Sequence, residues 1–344
     1  MRNFHPQTLR LTALALVLLG TVLFFASQID GYFTPRMLNR IATSVAVILP
    51  IAIGQAMVVM TRNIDLSVGS VVGITAYIVG DFLGGHPDLH PVIVVFLAMA
   101  LGAFFGSLNG LLVAYGRVPS IIATLGTLAL FRTFLVEYSD ARTITTASLP
   151  QWLVDLPQQS LFSIGPVDFR IIVVMALVAA AVFWVALSRL RMARKLYAVG
   201  SNPDAAIMAG INSARVVFTS FVLSGALAGL AGFIFLAKFG NITVVAGLGF
   251  ELKSVAAVVV GGVNIFGGSG SIFGVLLGTV LVDTIDNSLT RWAVVSEFWR
   301  DALLGMLIMT AVAADTWMSR SFGRMKSKAA LEEVKLPAAA GVKS

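Results

Sequence analysis

The chain has 344 residues, 58% of them hydrophobic and only 12% charged, with a mean hydropathy of +0.91. A soluble domain carries roughly 25% charge, so this balance excludes a soluble globular enzyme and indicates an integral membrane protein. The net charge of +7 falls largely in short loops and a basic tail, which suits membrane topology and does not indicate nucleic acid; cysteine is absent, excluding disulfides and thiolate metal sites.

A membrane helix needs roughly 17–25 mostly apolar residues. That rule predicts about ten spans, at 11–27, 41–60, 66–82, 91–115, 119–136, 171–188, 215–237, 249–265, 270–289 and 302–317. The expected fold class is all-α, a polytopic membrane helical bundle. One transmembrane domain covers 1–318, because no polar segment is long enough to bury a core of its own. Residues 319–344 are expected to form a basic, disordered cytoplasmic tail. The first run, Leu11 to Ala26, follows Arg2, His5 and Arg10 as a signal peptide would. No small-x-small cleavage site follows it, so a retained helix is expected.

Between the second and third runs stands Thr61-Arg62-Asn63-Ile64-Asp65-Leu66-Ser67-Val68-Gly69. An Asp or Arg at the centre of a span costs roughly 2.5–3.5 kcal/mol. The least costly arrangement is a tight polar reversal, with Asp65 and Ser67 as structural caps for the first N–H groups of the next helix. The basic residues follow the positive-inside rule. With the N-terminus inside, Arg2, Arg10, Arg62, Arg117, Arg189, Arg191, Arg194, Lys195, Arg215 and the tail cations fall on the cytoplasmic side, 15 of the 24 in all. An even count with both termini cytoplasmic is therefore expected.

Two glycine stripes, Gly102-Gly106-Gly110 and Gly270-Gly274-Gly278, predict close helix contacts and hint at a duplicated core. The longest inside loop, Ser188 to Arg215, opens on a basic stretch. Within it Asn202 is a good N-cap, Pro203 a good first helical residue, and Asp204 complements the helix dipole; Ala205 and Ala206 follow, and Gly210 supplies a left-handed stop. This predicts a helix of roughly two turns, too short to cross a membrane and suited to pressing into another protein's groove.

Several motifs are set aside on chemistry. Gly262 to Ser269 lacks the lysine of a phosphate-binding loop, so no ATPase site is expected here. Gly267-Gly268-Ser269-Gly270 resembles an intramembrane serine protease, but His5, His86 and His90 all lie outside the spans, leaving no base. His86-Pro87-Asp88-Leu89-His90 is broken by prolines and reads as a solvated loop rather than a metal pair. No catalytic residue, metal ligand or cofactor site is expected. Glu251 is placed at the outer mouth of the eighth span, either an interface anchor or a pathway residue. The candidate translocation-path residues are Glu251, Asn109 and Thr124. Asp283 and Asp286 are expected near the outer end of the ninth span, in water.

Four stretches in order carry a family resemblance: Ile64 to Gly69, Pro119 to Thr127, Tyr197 to Ala206, and Glu251 to Gly262 continuing to Gly270. They resemble the membrane permease of ribose-type ABC importers over roughly residues 10–318. The resemblance implies a subunit of the bacterial inner membrane, paired with a second permease, the same or homologous. It also implies two ATP-binding cassette subunits, which carry the ATP and Mg, and a periplasmic sugar-binding protein. The Pro203–Ala209 helix then looks like the element gripped by the ATPase. Arg62-Asn63 stands where two glycines are common, as in permeases similar to those for autoinducer-2 and related deoxy-sugars. The implied cargo is a small hydrophilic carbohydrate: a pentose, a deoxy-sugar or an autoinducer-2-like molecule. The competing class, an autonomous ion-coupled transporter or channel, needs ionisable groups deep in the bundle, and the predicted spans carry almost none away from their ends.

Overall fold

Lipid offers no partner to a free peptide N–H or C=O, so apolar spans close their own hydrogen bonds as helices. The computed structural model describes residues 6–165 and 167–292, with 299, 302–303, 305–307, 309–310 and 313. Twelve α-helices follow in order among the described residues: α1 (Pro6–Gln28), α2 (Pro35–Met60), α3 (Val68–Gly85), α4 (Pro91–Gly110), α5 (Ser120–Ser139), α6 (Gln151–Asp155), α7 (Ile171–Arg189), α8 (Arg191–Ser201), α9 (Pro203–Met208), α10 (Ser213–Phe239), α11 (Phe250–Val260) and α12 (Ile272–Leu289). A π-helical turn, Leu111–Tyr115, extends α4. A small antiparallel hairpin of β1 (Ser160–Ile164) and β2 (Val167–Arg170) joins α6 to α7, with Phe162 stacked on Phe169.

Eight helices, α1–α5, α7, α10 and α12, are long and apolar enough to cross a membrane. They account for the first seven predicted spans and the ninth. The eighth is corrected. The helix there, α11, has 11 residues, about 16 Å of rise against a hydrocarbon core of about 30 Å. Gly261 and Gly262 end it, the latter at φ 81°. Half of the tenth expected span, 302–317, lies outside the described residues, and the expected tail, 319–344, lies wholly outside them.

Burial sorts the helices into a centre and a rim. The most apolar stretch of α2 is 83% buried within the chain, and α3 and α10 are nearly as enclosed, whereas that of α1 is 11% buried. Phe96, Leu130 and Val182 on α4, α5 and α7 are exposed, as lipid-facing side chains would be. The first glycine stripe joins rim to centre. A Cβ on Gly102 or Gly106 would strike the backbone of α10 at Gly225 and Phe221, and Gly225 and Gly229 present the matching small surface. The second stripe seats Gly274 and Gly278 of α12 on Gly261 and Ala257. Both make the close helix contacts expected of them, each against a different partner.

Candidate functional site

At one end of the bundle three of the sequence motifs meet. Asn202 accepts the Ala205 N–H at 3.0 Å and caps α9, with Pro203 in its first turn and Gly210 in the left-handed region at φ 76°. Ala206 is buried against its own chain, while Ile207 is 60% and Met208 90% exposed. The outward knob of this helix is therefore Ile207 and Met208, not Ala206. The predicted basic loop before it is largely helical, forming α8 with Ala193, Leu196 and Val199 turned inward.

Arg62 ties the end of α8, just before α9, to the α2–α3 reversal. Its Nε donates to Gly200 O and its Nη2 to Ser201 O, each at 2.6 Å. Those carbonyls form the negative end of α8, so the guanidinium also answers the helix dipole. Arg62 holds φ 66°, a left-handed conformation uncommon for a side-chain-bearing residue. The fourth motif closes the cluster. Gly268 N–H donates to Met60 O at 3.0 Å, and the Tyr197 hydroxyl donates to Gly270 O at 3.1 Å. Burial pushes the Tyr197 phenol above its usual range, which keeps it a donor. A Cβ on Gly200 would overlap Met60 O, so glycine is required there.

The reversal does not stay at the membrane edge. It folds back along α2, where the Gln55 carboxamide, oriented to satisfy both groups, donates to Asp65 O at 3.0 Å and accepts from Asp65 N at 3.2 Å. A buried polar chain starts there. Asp65 Oδ1 accepts from Ser67 N at 2.9 Å and Ser67 Oγ at 2.7 Å. Ser67 Oγ accepts from Asn109 Nδ2 at 2.7 Å, and Asn109 Oδ1 accepts from Thr127 Oγ1 at 2.7 Å. Thr124 Oγ1 donates to Ser120 O at 2.8 Å and lies 3.3 Å from Ile64 O. The two expected cap residues thus join Asn109 and Thr124, drawn from three separate stretches of sequence. Ser67 takes the N-cap position of α3, but its hydroxyl serves Asp65 and makes no bond to the helix N–H groups. Asn109 and Thr124 are fully buried.

A second segment, 240–249, folds back from the opposite end. Ile242 pairs with Ile144, and Arg132 Nη1 donates to Val244 O at 3.0 Å and Ala246 O at 2.6 Å. Gly247 then packs backbone to backbone on Gly69, and α11 begins beside the first turn of α3. Glu251 therefore lies deep in the bundle rather than at an outer mouth, which corrects its expected place. Its Oε1 accepts from Gly249 N at 3.1 Å, while Oε2 is pressed toward Gly69 with no hydrogen-bond partner among the described residues. Two broken-helix N-termini, an arginine and a carboxylate converge here. Such breaks are tolerated at membrane depth only inside protein or along a cavity.

The expectation of water around Asp283 and Asp286 is also corrected. Lys253 of α11 donates to Asp283 Oδ1 and Asp286 Oδ2, each at 2.6 Å. Asp283 is fully buried and further accepts from Ser44 and Asn287. A readable signal existed: carboxylates three residues apart share one helix face, and on an apolar span they require a buried cation. Arg62 and Arg132 went unassigned because nothing in their own segments names their partners. Among the described residues no group of three His, Asp or Glu is arranged to hold a metal ion.

Comparison with known proteins agrees with this architecture. Residues 37–312 match the family described as branched-chain amino acid transport system / permease component. The chain is similar to the autoinducer 2 import system permease protein LsrC of Escherichia coli O9:H4 (strain HS), at 33% identity over 92% of this chain and 89% of that one. It is 34% identical to the LsrC protein of Yersinia enterocolitica serotype O:8, over 92% and 83% of the two chains. The Enterobacter sp. (strain 638) protein of that name is 34% identical, over 86% and 83%. No solved structure gives a significant match. With multiple apolar helices, broken segments inside the bundle and a family match over most of its length, the chain belongs to this family of multi-pass membrane permease components.

Proposed function

We propose that this chain is the permease subunit of an ATP-driven importer in a bacterial inner membrane, working through α9. Cytoplasmic ATP-binding cassette subunits, carrying ATP and Mg, grip Ile207 and Met208. A second permease, the same or homologous, completes the channel, and a periplasmic binding protein delivers cargo at the opposite end, where α6 and the β1–β2 hairpin lie. The permease occupies 1–318 and the basic tail 319–344. The observation that carries this reading is a six-residue capped helix, exposed on its outer side and following directly on the end of α8 that Arg62 holds to the bundle.

The cargo is a small hydrophilic carbohydrate of the autoinducer-2, deoxy-sugar or pentose kind. Support comes from the relatives, whose name is that of an autoinducer 2 import permease, and from the Arg62-Asn63 pair at the reversal. Glu251 and Arg132, at the meeting of α3 and α11, are the groups best suited to hydroxyl-rich cargo on its path. Asn109 and Thr124, being enclosed, support that path from behind. Lys253 and its partners remove the argument that the bundle lacks deep charge, so the ion-coupled alternative is set aside on family membership.

The test is Met208→Glu. Its side chain touches little of its own chain, so folding and abundance stay at the parent level. A charge placed in an apolar contact costs several kcal/mol, so uptake and co-purification of the ATPase both fail. Uptake at the parent rate would sink the docking role of α9.

A further inference from the structure

A second feature stands beside α8, on the lipid side of the bundle. Where α7 ends and α8 turns away, the two helices and the start of α10 leave a groove of about 80 Å³. Phe183, Leu187, Leu190, Met192, Leu196 and Leu223 are among its walls, with Met57 of α2 at the back. Its one polar lining residue, Ser220, spends its hydroxyl on Val217 O at 2.7 Å. Such a surface offers nothing to a hydrophilic solute and suits a length of hydrocarbon.

The rim is the opposite in character. Arg189, Arg191, Arg194 and Lys195 are all exposed, as is Arg215 at the start of α10. No acid occurs between Arg170 and Asp204 to neutralise them. Lys195 is three residues from Met192 and four from Arg191, so the cations flank the groove wall along one side of α8. Apolar slot and basic edge therefore meet at the depth where a span gives way to water. A larger hollow of about 330 Å³ between α7 and α12 is lined by Leu177, Trp184, Ile272, Phe273 and other apolar residues alone, with no charge in its lining. Any lipid suits that one.

We infer that the α7–α8–α10 groove binds an anionic phospholipid, its acyl chain in the slot and its phosphate on the Arg191–Lys195 edge. Each Lys or Arg near an anionic headgroup adds to the attraction, and the effect is short-ranged. α8 is followed directly by Asn202, which caps α9, so the lipid bears on the element proposed above to meet the ATPase. The binding site itself does not depend on that reading.

The test uses the full chain in phosphatidylcholine nanodiscs containing a minor share of phosphatidylglycerol. Native mass spectrometry then counts lipid retained after mild detergent stripping. The parent retains phosphatidylglycerol over phosphatidylcholine. The double variant Arg191→Gln/Lys195→Gln, changing exposed side chains only, loses that retention roughly tenfold or more. Ala186 also lines the slot, and Ala186→Phe, which fills it and leaves every charge in place, loses that retention as well. Arg142→Gln, at the other end of the bundle, leaves it intact. Equal retention of the two lipids by the parent, or unchanged retention in the charge variant, would overturn the proposal. Loss in the charge variant with full retention in the slot variant would overturn it too, by reducing the site to diffuse surface charge.

Discussion

Arg62 concentrates two physical demands in one residue. Its backbone sits at φ 66°, where glycine would be unstrained, and its side chain makes two charge-assisted bonds of 2.6 Å to the end of α8. Bonds of this kind contribute roughly 1.5–3 kcal/mol. The conformational cost of a non-glycine residue in that region is of order 1 kcal/mol, so the guanidinium outweighs the strain. Two substitutions separate the effects. Arg62→Gly removes both the strain and the clamp; Arg62→Ala removes the clamp and keeps the strain. Both should reduce uptake at least roughly tenfold, with ATP hydrolysis less responsive to the binding protein, and Arg62→Lys should recover part of it. Parent-level uptake by the glycine variant would mean that only the turn matters.

At the scale of elements, α11 is a half-span fixed by charge. Too short to cross, it buries Ala256, Ala257 and Val258 in the core, and Lys253 anchors it to Asp283 and Asp286 on α12. Glycine packing at Gly261, Gly274 and Gly278 holds its other end. Removing one partner from a buried ion pair costs roughly 3–5 kcal/mol, because the remaining charge is left uncompensated. Lys253→Met should therefore lower the thermal unfolding midpoint in detergent markedly. Lys253→Met combined with Asp283→Asn and Asp286→Asn should regain most of the loss. A triple variant no more stable than the single one would show that the lysine is held for another reason.

For the whole molecule, the direction of each segment fixes which side the ends occupy. α1 runs toward the end where Phe25 meets Trp292, and α2, α3, α4, α5, α7 and α10 alternate from there. Segment 240–249, mostly turns, makes one further crossing together with α11, and α12 returns. Nine crossings are thus complete at Leu289; a tenth over 302–317 is what apolar length alone predicts, and it would bring the C-terminus to the side of the N-terminus. With the basic loops inside, a phosphatase reporter inserted at Ala147 should be active and one fused after Gly341 silent. Activity at Gly341 would show that 302–317 does not cross, and silence at Ala147 would invert the assignment of α9 to the cytoplasm.

Spans, class and the capped helix at Pro203 were legible in the sequence because each depends on neighbours along the chain. Apolar length sets a span, and Asn202 and Pro203 set a helix start, whatever the rest of the bundle does. Depth was not legible. Glu251 follows a stretch that reads as an outer loop, and only the pairing of Ile242 with Ile144 and the grip of Arg132 on Val244 and Ala246 draw that stretch inward. Likewise Asp283 gives no local sign of its partner 30 residues earlier on α11, and Asp65, Asn109 and Thr127 become one hydrogen-bonded chain only when α3, α4 and α5 pack. Local rules determined which segments form full-length membrane helices. Satisfying buried polar groups, which needs partners from distant segments, was decided by the tertiary structure alone.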